Sequence, residues 1–139
     1  MPIDCFLDTN VLVYAAAGRD DEPRKAAIAR DIIATSLFGV SAQSLSEFYV
    51  AVGRQIAKPL SLAEIDAWIE RLASFPFTVV DASIVRAGIF LSRRYGIRYY
   101  DAALLAAADR LGAKTFFSED LNHNQLYGSV RVINPFLQA

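Results

Sequence analysis

The chain predicts an α/β fold of three layers, α/β/α, around a short, mostly parallel central sheet. Three observations carry this. Strand-like runs alternate with helical segments along the whole length. Runs such as Cys5-Phe6-Leu7 and Phe77-Thr78-Val79-Val80 are largely apolar at successive positions, as strands covered by helices on both faces are. With 139 residues and 54% hydrophobic composition, residues 1–139 make a single domain able to bury a sizeable core.

Taken in order, residues 3–7 form a first strand. It ends at Asp8-Thr9-Asn10, all suited to capping, and residues 11–17 continue as a helix. Gly18-Arg19-Asp20-Asp21 breaks that helix. Glu22-Pro23 opens a second, with Pro23 in the first turn, where its missing N–H costs nothing, and residues 26–37 as its body. Residues 38–41 are the second strand, followed by a helix over 42–56 that Pro59 stops. Ser61-Leu62-Ala63-Glu64 is a capping box, opening a helix to residue 73. Residues 77–80 are the third strand. Asp81 then caps a helix over 82–95, closed by Gly96. A helix over 99–111 ends at Gly112. Residues 114–117 are the fourth strand, 118–128 a polar loop, and 130–133 the last strand. The sheet should hold about five strands. There is no repeat, low-complexity segment or linker.

Composition narrows the chemistry. Cys5 is the lone cysteine, so an intrachain disulfide and a cysteine-based zinc site are excluded; inside a strand it reads as a small buried hydrophobe. His123 is the lone histidine, which removes paired-histidine catalysis, and no G-x-S-x-G elbow occurs. No apolar run approaches the roughly 18 residues that span a bilayer. The start lacks a signal-peptide core, so a soluble, cytoplasmic protein is expected. The net charge of −1 and pI of 5.8 give none of the basic balance that marks many nucleic-acid binders, although clustered acids would mask a local basic patch.

Those acids are Asp8, Glu47, Asp101 and Asp120. Ligands of open α/β sheets bind outside the carboxyl ends of the strands, where Asp8, Asp101 and Asp120 fall. Each has an ordinary competing role. Asp8 suits a helix N-cap as well as it suits a ligand. Asp101 continues the stripe of Leu104, Leu105 and Ala108, so its carboxylate needs a cap, a partner or a cation. Glu47 lies nearly opposite the stripe of Leu45, Phe48, Tyr49 and Val52, a solvated position by periodicity; Val50 and Ala51 near its side leave that face open to either reading. Asp120 suits an Asx turn after the fourth strand.

As an ordered set these residues resemble a known pattern. Phe6-Leu7-Asp8-Thr9-Asn10, Glu47-Phe48 inside a helix, Tyr100-Asp101-Ala102 at a helix start and Ser118-Glu119-Asp120-Leu121 after the fourth strand resemble the PIN-domain family. The tail from Tyr127-Gly128 through Val130-Arg131-Val132-Ile133-Asn134-Pro135-Phe136 resembles its branch of VapC-type toxins of toxin–antitoxin modules. The resemblance implies a PIN-like fold and an Mg²⁺- or Mn²⁺-dependent endoribonuclease. It makes Asp8, Glu47, Asp101 and Asp120 the catalytic and metal-binding acids, with Asn10 and Ser118 in support. Asp8 and Asp101 are the first choice as direct ligands. It also implies an RNA substrate, a small VapB-like antitoxin and a homodimer.

Arg93, Arg94 and Arg98 beside Tyr99-Tyr100 have the composition of an RNA contact, although surface arginines more often serve solubility. Tyr14, Phe48, Tyr49, Ile56 and Trp68 exceed the evident needs of one small core and point to a protein partner. Two rivals stand beside the nuclease. One is a PIN-like module that binds RNA or a partner without cutting. The other is a metal-dependent phosphatase, although Asp8-Thr9-Asn10 lacks the second aspartate of D-x-D-x-[TV].

Overall fold

The computed structural model describes residues 3–54 and 60–137. Its elements, in chain order, are β1 Cys5–Leu7, α1 Thr9–Ala17, α2 Pro23–Thr35, β2 Phe38–Ser41, α3 Ala42–Arg54, α4 Leu62–Ala73, β3 Phe77–Thr78, α5 Ala82–Tyr95, α6 Tyr99–Arg110, β4 Thr115–Phe117, β5 Leu126–Tyr127 and β6 Val130–Ile133. The strands form one sheet in the order β3-β2-β1-β4-β6-β5. Every pairing is parallel except that of β5 with β6.

This order creates a switch point. From β1 the chain steps outward to β2 and β3, then returns to lay β4 on the other side of β1. The two central strands pair Phe6 with Phe116 and Leu7 with Phe117. Pairing runs one residue past each: Asp8 donates its N–H to the Phe117 carbonyl at 3.0 Å, and Ser118 donates to the Ile133 carbonyl at 3.0 Å. Asp8 and Ser118 therefore leave the sheet side by side, where ligands of such sheets are held.

Two cores flank the sheet, and strand alternation sorts residues between them. Cys5 and Leu7 face α1 to α4 in a cluster with Leu12, Ile33, Phe48 and Leu72. Phe6 and Phe116 face the other way, packing with Ile84 of α5, Leu104 and Leu105 of α6, and Tyr127. This is the three-layer arrangement expected. Phe48, among the residues set aside for a partner, is fully buried, and Tyr14 packs edge-on against Phe136; Tyr49 is 56% exposed. Ile56 and the Pro59 stop lie outside the described residues.

Caps mark several helix ends. Asp8 caps α1, Ser61 and Glu64 form the capping box of α4, and Asp81 caps α5, accepting from the Ile84 N–H at 2.9 Å. Gly96 ends α5 in the left-handed region, at φ 65, which favours a residue without Cβ. No described helix is long and apolar enough to cross a membrane.

Three expectations need correction. The first strand begins at Cys5 rather than residue 3, the third has two residues rather than four, and the sheet has six strands. The extra strand, β5, lies inside the expected loop over 118–128 and forms a hairpin with β6 across Gly128 and Ser129. Two residues are too few for an alternating pattern to register. Gly128, at φ 62, is the one local sign of the turn.

Candidate functional site

Asp8 leaves β1 and starts α1 with only 3% of its surface exposed. Its Oδ1 accepts from the Thr9 N–H at 2.7 Å, and its Oδ2 accepts from the Ser118 hydroxyl at 2.6 Å and the Asn10 amide at 3.3 Å. The capping reading of Asp8 is therefore correct, and it does not exclude the other role. One oxygen caps the helix, while the second faces Ser118 and Asn10.

Asn10 joins Asp8 to Asp120. Its Nδ2 donates to Asp120 Oδ2 at 2.9 Å as well as to Asp8. The reverse orientation would set a carbonyl oxygen against two carboxylates. Asn10 Oδ1 is left buried and without a hydrogen-bond partner. Ser118, wholly buried, uses its hydroxyl twice: it donates to Asp8 and accepts the Asp120 N–H at 3.0 Å.

Glu47 is half-buried, and both of its oxygens have partners. Thr9 Oγ1 donates to its Oε1 at 2.8 Å, and Gln43 Nε2 donates to its Oε2 at 2.8 Å. Gln43 also donates to the Tyr100 carbonyl at 2.8 Å, which brings the first turn of α6 against α3. Asp101 stands in that turn. The helix begins at Tyr99 with Arg98 as N-cap, so Asp101 is not the cap. Its Oδ2 lies 3.6 Å from Arg98 Nε, and its side chain is 15% exposed.

All four expected acids thus belong to one neighbourhood, linked through Thr9, Asn10, Gln43 and Ser118. Sequence reasoning treated Thr9 only as a capping residue and missed Gln43, whose one local sign is its place four residues before Glu47 on the same helix. Arg98 lines an open groove of about 400 Å³ with Thr9, Ser46, Glu47, Val50 and Ala51. Arg93 and Arg94 line a different groove, with Arg86, Ile89 and Phe90 of α5.

A second polar cluster braces the loop after β4. Tyr14 donates its hydroxyl to Glu119 Oε1, and Lys25 Nζ reaches Glu119 Oε2 at 2.9 Å while lying over the Tyr14 and Phe136 rings. Glu119 thereby faces α1 and α2, while its neighbour Asp120 reaches Asn10.

The electrostatics suit a cation. Burial pushes the Asp8 carboxyl up to about 7, against the pull of its Ser118 and Thr9 hydrogen bonds, and the charges of Asp101 and Asp120 add to the rise. Asp101 is also raised, by burial foremost; Arg98 opposes this, and Asp120 and Glu47 add to it. Among the described residues no three acidic, histidine or cysteine side chains close into a cage around a bare ion. Mg²⁺ does not need one, since it commonly takes one or two carboxylates and keeps several waters. The donors here are all hard oxygens, and the orphaned Asn10 Oδ1 belongs to the amide whose nitrogen joins two of the acids. The set fits a hydrated divalent ion.

The family model of the PIN domain matches residues 5–128. The chain belongs to the PIN domain family. Among curated proteins no match is found. Solved structures align over most of its length. Mycobacterium tuberculosis VapC20, a sarcin-ricin loop cleaving toxin, aligns with TM-score 0.67 at 18% identity, covering 84% of this chain and 92% of that one. A toxin–antitoxin complex from Klebsiella pneumoniae gives TM-score 0.69 at 18% identity, covering 95% and 98%. VapBC2 from Rickettsia felis, bound to a DNA fragment from its promoter, gives 0.61 at 16% identity, covering 92% and 96%. At these identities the likeness establishes the PIN fold, with its mostly parallel sheet flanked by helices.

Proposed function

We propose that this PIN domain is an Mg²⁺- or Mn²⁺-dependent endoribonuclease and the toxin of a toxin–antitoxin pair. The observation that carries the reading is the meeting of Asp8, Glu47, Asp101 and Asp120 at the carboxyl edge of β1 and β4, joined by short polar side chains. Carboxylates brought together this way repel one another, raising their pKa values, so a cation is the natural complement. The solved relatives that are toxins, VapC20 and the Klebsiella pneumoniae complex, support the biological role.

Asp8 and Asp101 would hold the ion directly in this reading, with Glu47 and Asp120 contributing through water. A bound ion would supply positive charge that acidifies a water and offsets charge growing on the scissile phosphate. Ser118 and Asn10 hold the Asp8 carboxylate in place, and Asp120, anchored by Asn10, orients the attacking water. Arg98, beside Asp101 and exposed, meets the RNA backbone. With water as nucleophile, in-line attack leaves a 5′-phosphate and a 3′-hydroxyl. Ends carrying a 2′,3′-cyclic phosphate would contradict this.

The substitution Asp8→Asn separates the reading from its rivals. It should lower RNA cleavage by about 10²–10⁴-fold while leaving RNA affinity intact. A binding module would show no cleavage in the parent protein, and a phosphatase would turn over small monoesters instead.

The protein works as a cytoplasmic homodimer covered by a small VapB-like antitoxin. Exposed Val85, Ile89 and Phe90 on α5 give an apolar face for a second copy. Exposed Tyr49, Val50 and Leu62 surround a groove between α3 and α4, and Val50 also lines the acid groove. An antitoxin seated there would reach the acids.

A further inference from the structure

We propose that Gln43 is a positioning residue, a two-donor bridge that makes Glu47 and the start of α6 move as one unit. The Gln43 amide nitrogen carries two N–H groups. One goes to Glu47 Oε2 and the other to the Tyr100 carbonyl, each at 2.8 Å. The first bond alone would be an ordinary pairing of residues four apart on one helix. The second is not local, since it reaches an element 57 residues away in sequence.

What it reaches matters. The Tyr100 carbonyl belongs to the planar peptide that leads directly into Asp101. Fixing that oxygen fixes the plane from which the Asp101 side chain departs. The first turn of α6 needs such a hold, because its N-cap, Arg98, makes no side-chain capping bond. A carbonyl oxygen has two lone pairs, so Tyr100 can accept from Gln43 and from its own helix together.

At the other end the bridge completes the fixing of Glu47. Thr9 holds Oε1 and Gln43 holds Oε2, so both oxygens are oriented, and Thr9 is bonded in sequence to Asp8. A continuous path then runs from Asp8 through Thr9, Glu47, Gln43 and the Tyr100 carbonyl to Asp101. Two acids on separate elements, α3 and α6, gain a common reference through one side chain. The consequence for metal binding rests on the nuclease reading; the bridge itself does not.

The substitution Gln43→Met keeps length and removes both donors, and Gln43→Glu is a second variant that also places like charge against Glu47. Calorimetric titration of Mn²⁺ into the protein without RNA should show affinity falling about 10–100-fold in either variant. In a Glu47→Gln background, Gln43→Met should add less loss than it causes alone, because one of the two groups it holds is already altered. Amide hydrogen exchange at Ala102, whose N–H bonds to the Arg98 carbonyl in the first turn, should quicken several-fold with no change in global melting temperature. Unchanged exchange at Ala102 overturns the bridge, and a fully additive loss in the double variant overturns its action through Glu47. If the parent protein binds no Mn²⁺, the nuclease reading fails, and exchange at Ala102 alone decides on the bridge.

Discussion

Asp8 carries the largest share of the site's tension. A carboxylate with 3% of its surface exposed and two acids nearby is held near 7 rather than at its ordinary 3.8. Between those values the folded protein keeps a proton that the unfolded chain has released, so stability falls as pH rises through that window. Its contribution is fully favourable below about pH 4 and lost above about pH 7, roughly 4 kcal/mol at most. Asp101 shifts in the same direction. Thermal unfolding in EDTA should therefore give a lower melting temperature at pH 8 than at pH 5. Asp8→Asn should flatten that slope, and saturating Mg²⁺ should do the same by holding the charged form. A slope that survives Asp8→Asn would place the effect elsewhere. At this scale the sequence disclosed the acids only as an ordered set. Asp8 is a cap in the fold as well, Asp120 does lie in the loop after β4, and periodicity left Glu47 open between solvent and site. Periodicity could not decide because it counts apolar neighbours on the same helix, whereas Glu47 is held by Thr9 from another element and by its own neighbour Gln43.

Helices were legible where their ends carry chemistry. Asp81, Ser61 with Glu64, and Gly96 each mark a boundary that the fold keeps. Strands were legible where they are long enough to be read; of the two-residue strands, β3 was read two residues too long and β5 was lost. The crossing of α5 and α6 left no readable pattern, yet it places Asp101. Gly88 of α5 lies so close to α6 that an added Cβ would stand 3.1 Å from Ala103 Cα and 3.1 Å from Tyr99 Cε1. Part of that contact is backbone, which cannot rotate away. Gly88→Leu should therefore separate the helices and cost about 1–3 kcal/mol, read from urea unfolding. It should also weaken cleavage by displacing the turn that holds Asp101. Wild-type stability in that variant would mean that the crossing has slack. The clasp of Tyr14, Lys25 and Glu119 escaped sequence reading for a related reason: its members come from α1, α2 and the loop after β4, and nothing local joins them.

For the whole molecule, the parallel sheet explains why residues so far apart in sequence converge. A strand order that reverses between β1 and β4 leaves two chain ends adjacent, and α3 and α6 fold over the same edge. The parallel sheet and the edge where Asp8, Asp101 and Asp120 fall followed from alternating strands and helices; the strand order and the turn of α3 toward α6 did not. The outer surface did not follow, because apolar residues on a helix look alike whether they meet a core or a partner. The exposed face of Val85, Ile89 and Phe90 predicts a dimer by light scattering, and Phe90→Glu should shift it to monomer; a parent protein that is monomeric at micromolar concentration would refute that pairing. The most direct test of the site is a crystal soaked in Mn²⁺ and measured at the manganese absorption edge. The account predicts an anomalous peak beside Asp8 and Asp101, lost in Asp8→Asn. A fully soaked crystal with no peak there, or with manganese bound only at a distant surface, would contradict it.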